Sequence, residues 1–200
     1  MRSKRAWAAL ALALAVGAAA AATPEGDFRD GERAYLAGDV IGAMSTLRGA
    51  AEKGYAPAQA LLAEILDRAE FDEEALAWYR KAAEQGNAAA EFGLGGMYLA
   101  GEGVKADTGQ ALFWFTRAAE RGHPGAIVAA AQALMNNSPP DRPADEATLL
   151  RWLQRAAELG YVPAMERLAA AGGEQAGFWR ARAAEAKKRQ AGTPPKKRRS

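Results

Sequence analysis

The string Ala-Ala-Glu-x-Gly occurs four times in this 200-residue chain, beginning at Ala50, Ala82, Ala118 and Ala156. The spacings are 32, 36 and 38 residues, and a degraded fifth copy, Ala183-Ala184-Glu185, lacks the glycine. Self-similarity at such a period restricts a chain to stacked supersecondary units, because one unit alone cannot bury its apolar face. The surroundings recur too. Four residues before the first alanine stand Trp78, Trp114, Trp152 and Trp179, with Thr46 in the first copy. Three before it stand Leu47, Tyr79, Phe115 and Leu153, and seven before it Ala43, Ala75, Ala111 and Leu149. Offsets of three, four and seven share one helical face. Four residues after each glycine comes Ala58, Ala90, Ala126 or Ala164, and four further on Leu62, Leu94, Ala130 or Leu168. This is a second amphipathic helix, so each unit is a helix pair turned at a glycine that tolerates the left-handed conformation.

Alanine supplies 52 residues and strand formers are sparse, which favours helices with small contact faces. The spacing predicts five pairs, with helices over 28–37 and 40–53, 57–69 and 71–85, 88–100 and 108–121, 124–136 and 145–159, and 162–171 and 174–189. Asp107 with Gln110 reads as a capping box before the sixth helix. The prolines of 137–144 predict a stiffer connection there. The last pair, rich in charge at 180–189, is expected to be a polar cap.

The segment AEFGLGGMYLAGEGVKADTGQALFWFTRAAERGH (residues 90–123) resembles the Sel1-like repeat, a relative of the tetratricopeptide repeat (TPR) with a longer, glycine-bearing loop. The resemblance covers about residues 31–186 and is strongest over 57–123. It implies an all-α chain, a right-handed α/α solenoid of about five Sel1-like/TPR-like helix pairs. It also implies a non-catalytic role in protein–protein interaction, often within envelope-assembly or signalling complexes.

The start of the chain reads as a targeting segment. Arg2, Lys4 and Arg5 precede an apolar or small run over 6–22, ending in Ala20-Ala21-Ala22 before Thr23-Pro24. The expected division is a signal peptide over 1–22, a repeat solenoid over 23–189 and a disordered basic tail over 190–200. The product is then periplasmic or secreted. Its alternative is an inner-membrane anchor, since the run is only 17 residues long and mostly alanine. Residues 23–186 hold 16 Lys and Arg against all 24 acids, a net charge of −8, whereas 187–200 carry +7 with no acid. An acidic body with a basic tail argues against nucleic-acid binding, which needs a basic groove on the folded part.

The inventory of chemistry is thin. With no cysteine there is no disulfide, thiol nucleophile or cysteine-metal site. His123 is the only histidine and follows a repeat glycine, where other copies carry Tyr55, Asn87 and Tyr161, so it reads as a loop residue. Some secreted Sel1-like proteins are described as penicillin-active, but those relatives are cysteine-rich. Ser45, followed three later by Arg48, also does not begin a serine-x-x-lysine arrangement. Asp72, Glu73 and Glu74 open a helix, where acids complement the dipole. Glu52, Glu84, Glu120 and Glu158 recur with the motif and read as structural. Gly95-Gly96 and Gly101-x-Gly103 lack the strand and Gly-Lys-Ser/Thr of a phosphate loop. The tryptophans, fixed in register with the motif, read as packing residues. No catalytic, cofactor-binding or metal-binding residue is therefore expected, and no cofactor.

What remains is an exported scaffold or adaptor that binds other proteins of the cell envelope. Its binding residues are expected at variable exposed positions on the first helix of each pair, such as Gln59, Glu91 and Glu166. The alternative is a cell-wall or polysaccharide-associated factor whose basic tail binds an anionic envelope polymer or lipid.

Overall fold

The computed structural model describes residues 23–136 and 146–192. Residues 1–22, where a targeting segment is expected, and residues 137–145 and 193–200 lie outside that range. The described residues form ten helices and no strand. They are α1 Pro24–Leu36, α2 Val40–Glu52, α3 Ala56–Arg68, α4 Asp72–Glu84, α5 Ala88–Ala100, α6 Thr108–Glu120, α7 Pro124–Asn136, α8 Glu146–Glu158, α9 Val162–Ala171 and α10 Ala176–Gly192. All ten expected helices are present, as five consecutive pairs. Two ends differ. The first helix starts at Pro24, four residues before the expected 28, because proline suits a first helical position and the Thr23 hydroxyl accepts from the Gly26 N–H at 3.1 Å. The last helix runs to Gly192, three residues past the expected end at 189. Lys, Arg, Gln and Ala are good helix formers there, and cations complement a helix C-terminus.

The chain divides into two compact units, residues 1–111 and 112–200, with the boundary inside α6. In the first unit α1 packs on α2, α2 on α3, α3 on α4 and α4 on α5. The first helices of successive pairs also touch, α1 with α3 and α3 with α5. A middle first helix is thus covered on both flanks. The core runs through Leu47, Leu62, Leu66, Leu94 and Met97, each at most 1% exposed. In the second unit α7 packs on α8, α8 on α9 and α9 on α10, around Trp152, Leu153 and Met165.

The Ala-Ala-Glu-x-Gly string is a helix-ending device. In the first copy the Gly54 N–H donates to the Ala51 carbonyl (3.0 Å) and the Tyr55 N–H to the Ala50 carbonyl (3.1 Å), with Gly54 at φ +86°. The same two bonds form from Gly86 and Asn87, from Gly122 and His123, and from Gly160 and Tyr161. This pair of reversed bonds is the Schellman motif, which satisfies carbonyls the helix leaves open. The two alanines supply the accepting carbonyls while their methyl groups lie at most 1% exposed, so neighbouring helices approach closely. The glutamates at 52, 84, 120 and 158 are exposed in all four copies. Of these, Glu52 places its charge near the Arg48 guanidinium.

The α3–α4 turn makes the same two bonds, from Glu70 to Asp67 and from Phe71 to Leu66, but without glycine. Glu70 is the only non-glycine residue at positive φ (+62°) among the described residues. A side chain in that region costs about 1 kcal/mol or more. Glu70→Gly is therefore expected to raise stability by about 0.5–1 kcal/mol, less what the freer unfolded chain returns. Equilibrium urea unfolding of the two proteins measures it, and a destabilised variant contradicts it.

Asp107 caps α6 through its Oδ1, which accepts from the Gln110 N–H at 3.0 Å. The reciprocal arm of the expected capping box is absent, because the Asp107 N–H already donates to the Tyr98 carbonyl at 2.8 Å.

Candidate protein-interaction surface

His123 and the motif tryptophans take part in capping and packing. The His123 Nδ1 accepts from the Ala126 N–H at 3.2 Å, so the imidazole caps α7 as the Asn87 side chain caps α5. An N-cap acceptor must be unprotonated, and burial lowers the His123 pKa from its usual 6.5. A lowered folded-state value means the stabilisation is complete above about 6.5 and is lost as pH falls through the folded value. As the sole histidine, His123 dominates this window. Thermal unfolding between about pH 7.5 and 5 should show stability falling by up to ~1 kcal/mol, and His123→Asn, which keeps a cap, should flatten the profile. An unchanged slope in the variant contradicts the capping role.

Trp78, Trp152 and Trp179 are 8%, 0% and 6% exposed, which makes them packing residues as expected; Trp114 is only half-buried. Each carries a cation three residues on. Lys81 Nζ lies 4.1 Å from the Trp78 centroid, and the Arg117, Arg155 and Arg182 guanidinium carbons lie 5.1, 5.1 and 6.0 Å from Trp114, Trp152 and Trp179. These cation–π contacts engage each ring, and burial leaves Trp78, Trp152 and Trp179 little surface for a sugar or base. The Trp-x-x-Lys/Arg spacing was present in the sequence as a signal for them. Glu74, at the start of α4, binds Arg48 of α2 at 2.6 Å and accepts from Trp78 Nε1 at 3.4 Å. The Arg48 guanidinium holds its carboxyl below the ordinary range. Among the described residues no group of three or more His, Asp or Glu side chains is placed to hold a metal ion.

Two of the three positions named for partner binding are internal. Gln59 is 4% exposed and Glu91 fully buried. Gln59 Nε2 donates to the Ala51 carbonyl at 2.9 Å, and its Oε1 accepts from Gln85 Nε2 at 2.7 Å, so it ties together the ends of α2 and α4. The reason is positional. Five residues after the repeat glycine, the chain places Gln59, Glu91, Ile127 and Met165, all buried. Only Glu166 is exposed, and there it accepts from the Lys187 ammonium at 2.5 Å.

The last pair is charged where earlier pairs are apolar. The column of Leu47, Tyr79, Phe115 and Leu153 continues as exposed Arg180. The column of Ala60, Phe92 and Val128 continues as Glu166. Glu166, Arg180 and Lys187 rim a shallow groove floored by Ala169, Ala170 and Ala183. This is the polar cap expected from the sequence.

The first unit offers a different surface. Its exposed large apolar side chains among the described residues are Leu36 (80%), Val40 (41%), Ile41 (84%), Phe71 (58%) and Leu99 (54%). All five sit at turns joining a first helix to its second, which form one edge of the unit. The other edge, at 53–55 and 85–87, carries Lys53, Gly54, Gln85, Gly86 and Asn87, with Tyr55 packed on Phe28 at 5.6 Å. Scattered apolar residues need no explanation, but a row along one edge does. Acids accompany them. Glu64, Asp67, Glu70, Asp72 and Glu73 surround the α3–α4 turn against the single base Arg68, which pairs with Glu64 at 2.7 Å. Burial, and then the Asp72 charge, raises the Asp67 pKa despite the hydrogen bond from the Tyr79 hydroxyl at 3.5 Å. The α5–α6 loop adds Glu102 and Asp107 with one base, Lys105, and lies against this cluster, since a Cβ on Gly103 would stand 2.8 Å from the Asp72 carbonyl oxygen.

The Sel1 repeat model matches residues 72–87, 88–123 and 150–161, the α4 helix, the whole α5–α6 pair and most of α8 with its glycine turn. These are Sel1 repeats. Among solved structures, a Sel1 repeat protein from Oxalobacter formigenes is 27% identical with a TM-score of 0.63, covering 82% of this chain and 71% of that one. A protective antigen present in uropathogenic Escherichia coli strains, displaying an SLR fold, is 28% identical with a TM-score of 0.71 and covers 84% of this chain. The chain spans about 39% of that protein's length. No curated protein matches the chain. Sel1 repeats generally serve as non-catalytic scaffolds for protein–protein interaction. In this chain the alanines and glycine that recur between repeats are spent on turns and packing.

Proposed function

We propose that the protein is an exported scaffold of the bacterial envelope that holds a protein partner on its exposed helix-turn edge. The observation that carries this reading is the row of large apolar side chains, from Leu36 to Leu99, on one edge of a Sel1 array. The aromatic and histidine side chains that suggested other chemistry are engaged in packing and capping. Export rests on the basic residues and apolar run of 1–22, and no helix among the described residues is long and apolar enough to cross a membrane. A second reading, attachment to an anionic envelope polymer or lipid, draws on α10. There Arg180, Arg182, Lys187, Lys188 and Arg189 are exposed beside the single acid Glu185. Cell fractionation with mass measurement of the mature chain tests export: a periplasmic or secreted product beginning at Thr23 supports it, and a cytoplasmic product starting at Met1 overturns it. Chemical cross-linking in the same cells, read by mass spectrometry, tests the holding role. Recovery of a specific envelope protein supports it. Recovery of polymer or lipid adducts through α10 alone supports the second reading in its place.

A further inference from the structure

We propose that the edge formed by the α1–α2, α3–α4 and α5–α6 turns docks a basic, amphipathic polypeptide segment. Its large apolar side chains sit on Ile41, Phe71 and Leu99, and its lysines and arginines face Glu70, Glu73 and Glu102. This rests on the scaffold reading and names the chemistry of the partner.

Three observations on different levels select that occupant. The first is composition of the surface. Ile41, Phe71 and Leu99 are each more than half exposed, and the carboxylates between them outnumber the bases, so the complementary segment carries both apolar bulk and positive charge. A nucleic acid or an anionic membrane surface meets repulsion here. The second is comparison between repeats. Leu36, Val40 and Ile41 stand 32 residues before Arg68, Asp72 and Glu73 at the matching turn. The turn is therefore built equally well from charged residues, and packing does not require the apolar ones at the first pair. The third is strain. Glu70 occupies the left-handed position that the other turns of this kind give to glycine, Gly38 at φ +85° and Gly101 at φ +81°. A carboxylate kept at such a cost, pointing outward beside Asp67 and Asp72, marks a position held for something other than stability. The close approach of the Gly103 backbone to the Asp72 carbonyl makes the second and third turns one continuous surface. Burial first, and then the Asp72 charge, keeps the Asp67 carboxyl above its ordinary range, and a cationic partner offsets the second of these.

Selection of random twelve-residue peptides displayed on phage against the full chain, followed by fluorescence anisotropy of the winners, tests this. Enriched peptides are expected to combine Lys or Arg with Leu, Phe or Trp. Their affinity should fall about tenfold or more on Glu73→Lys with Glu102→Lys, and likewise on Phe71→Ser, and should weaken as salt rises. Glu52→Lys with Glu84→Lys makes the same charge change on exposed sites of the opposite edge and should alter affinity less than about twofold. All of these sites are exposed, and circular dichroism confirms folding of each variant. Acidic or uncharged winners overturn the proposal, as do basic ones weakened equally by both charge pairs. Either result leaves the scaffold reading standing, with recognition at another face. Failure to enrich any peptide overturns the proposal as well, and the scaffold reading is then decided by the cellular cross-linking alone.

Discussion

Replacing Trp152 with alanine lowers stability by about 3–5 kcal/mol, the range for emptying a large buried aromatic site. Trp152 is the largest fully buried side chain of the second unit, on α8 between α7 and α9. Arg151 and Arg155 stack on its ring at 5.0 and 5.1 Å, so truncation also removes two cation–π contacts. Its indole Nε1 is buried without a hydrogen-bond partner among the described residues, so Trp152→Phe deletes no bond and costs much less, about 1–2 kcal/mol. Trp114, in the same column but half-buried, loses less than Trp152 on truncation to alanine. Urea unfolding followed by far-ultraviolet circular dichroism measures all three. Equal losses at 114 and 152 contradict the burial argument.

The second large effect is at Gly93, on α5. A Cβ there would stand 2.4 Å from Cζ of Tyr79. The ring is 4% exposed on α4 and its hydroxyl donates to Asp67, so it has nowhere to move. Gly93→Ala is expected to cost about 1–3 kcal/mol through overpacking, although alanine is the better helix former by about 1 kcal/mol. Gly96, three residues on in the same helix, has nothing within 4 Å of an added Cβ. Gly96→Ala is expected to raise stability by up to about 1 kcal/mol. The opposite signs within one helix separate backbone propensity from packing, and like signs contradict the account.

Much of the fold was legible because the repeat motif is itself structural. Each Ala-Ala-Glu-x-Gly string encodes two buried alanines, two reversed hydrogen bonds and one left-handed glycine, so its recurrence located four turns directly. The tryptophans were legible as packing residues for the same reason. The Glu70 turn was less legible, because a Schellman turn without glycine leaves no residue signature. Gln59 and Glu91 were misplaced on the surface because they are polar. Gln59 lies on α3, which α1 and α5 cover on both flanks, and the apolar Ile127 and Met165 in the same column carried the signal for both positions. The exposed apolar edge escaped sequence reading for a related reason. Leu36, Ile41, Phe71 and Leu99 are apolar residues whose exposure depends on the turns they occupy, and periodicity assigns such residues to a core.

The most direct test of partner holding is a photo-cross-linking amino acid placed at Phe71 in the producing cell, with the same group at Glu84 on the opposite edge as reference. Illumination should yield a discrete higher-mass adduct from position 71, containing one protein partner, and none from position 84. Absence of an adduct at 71, or the same smear of adducts from both positions, contradicts a protein-binding role for this edge.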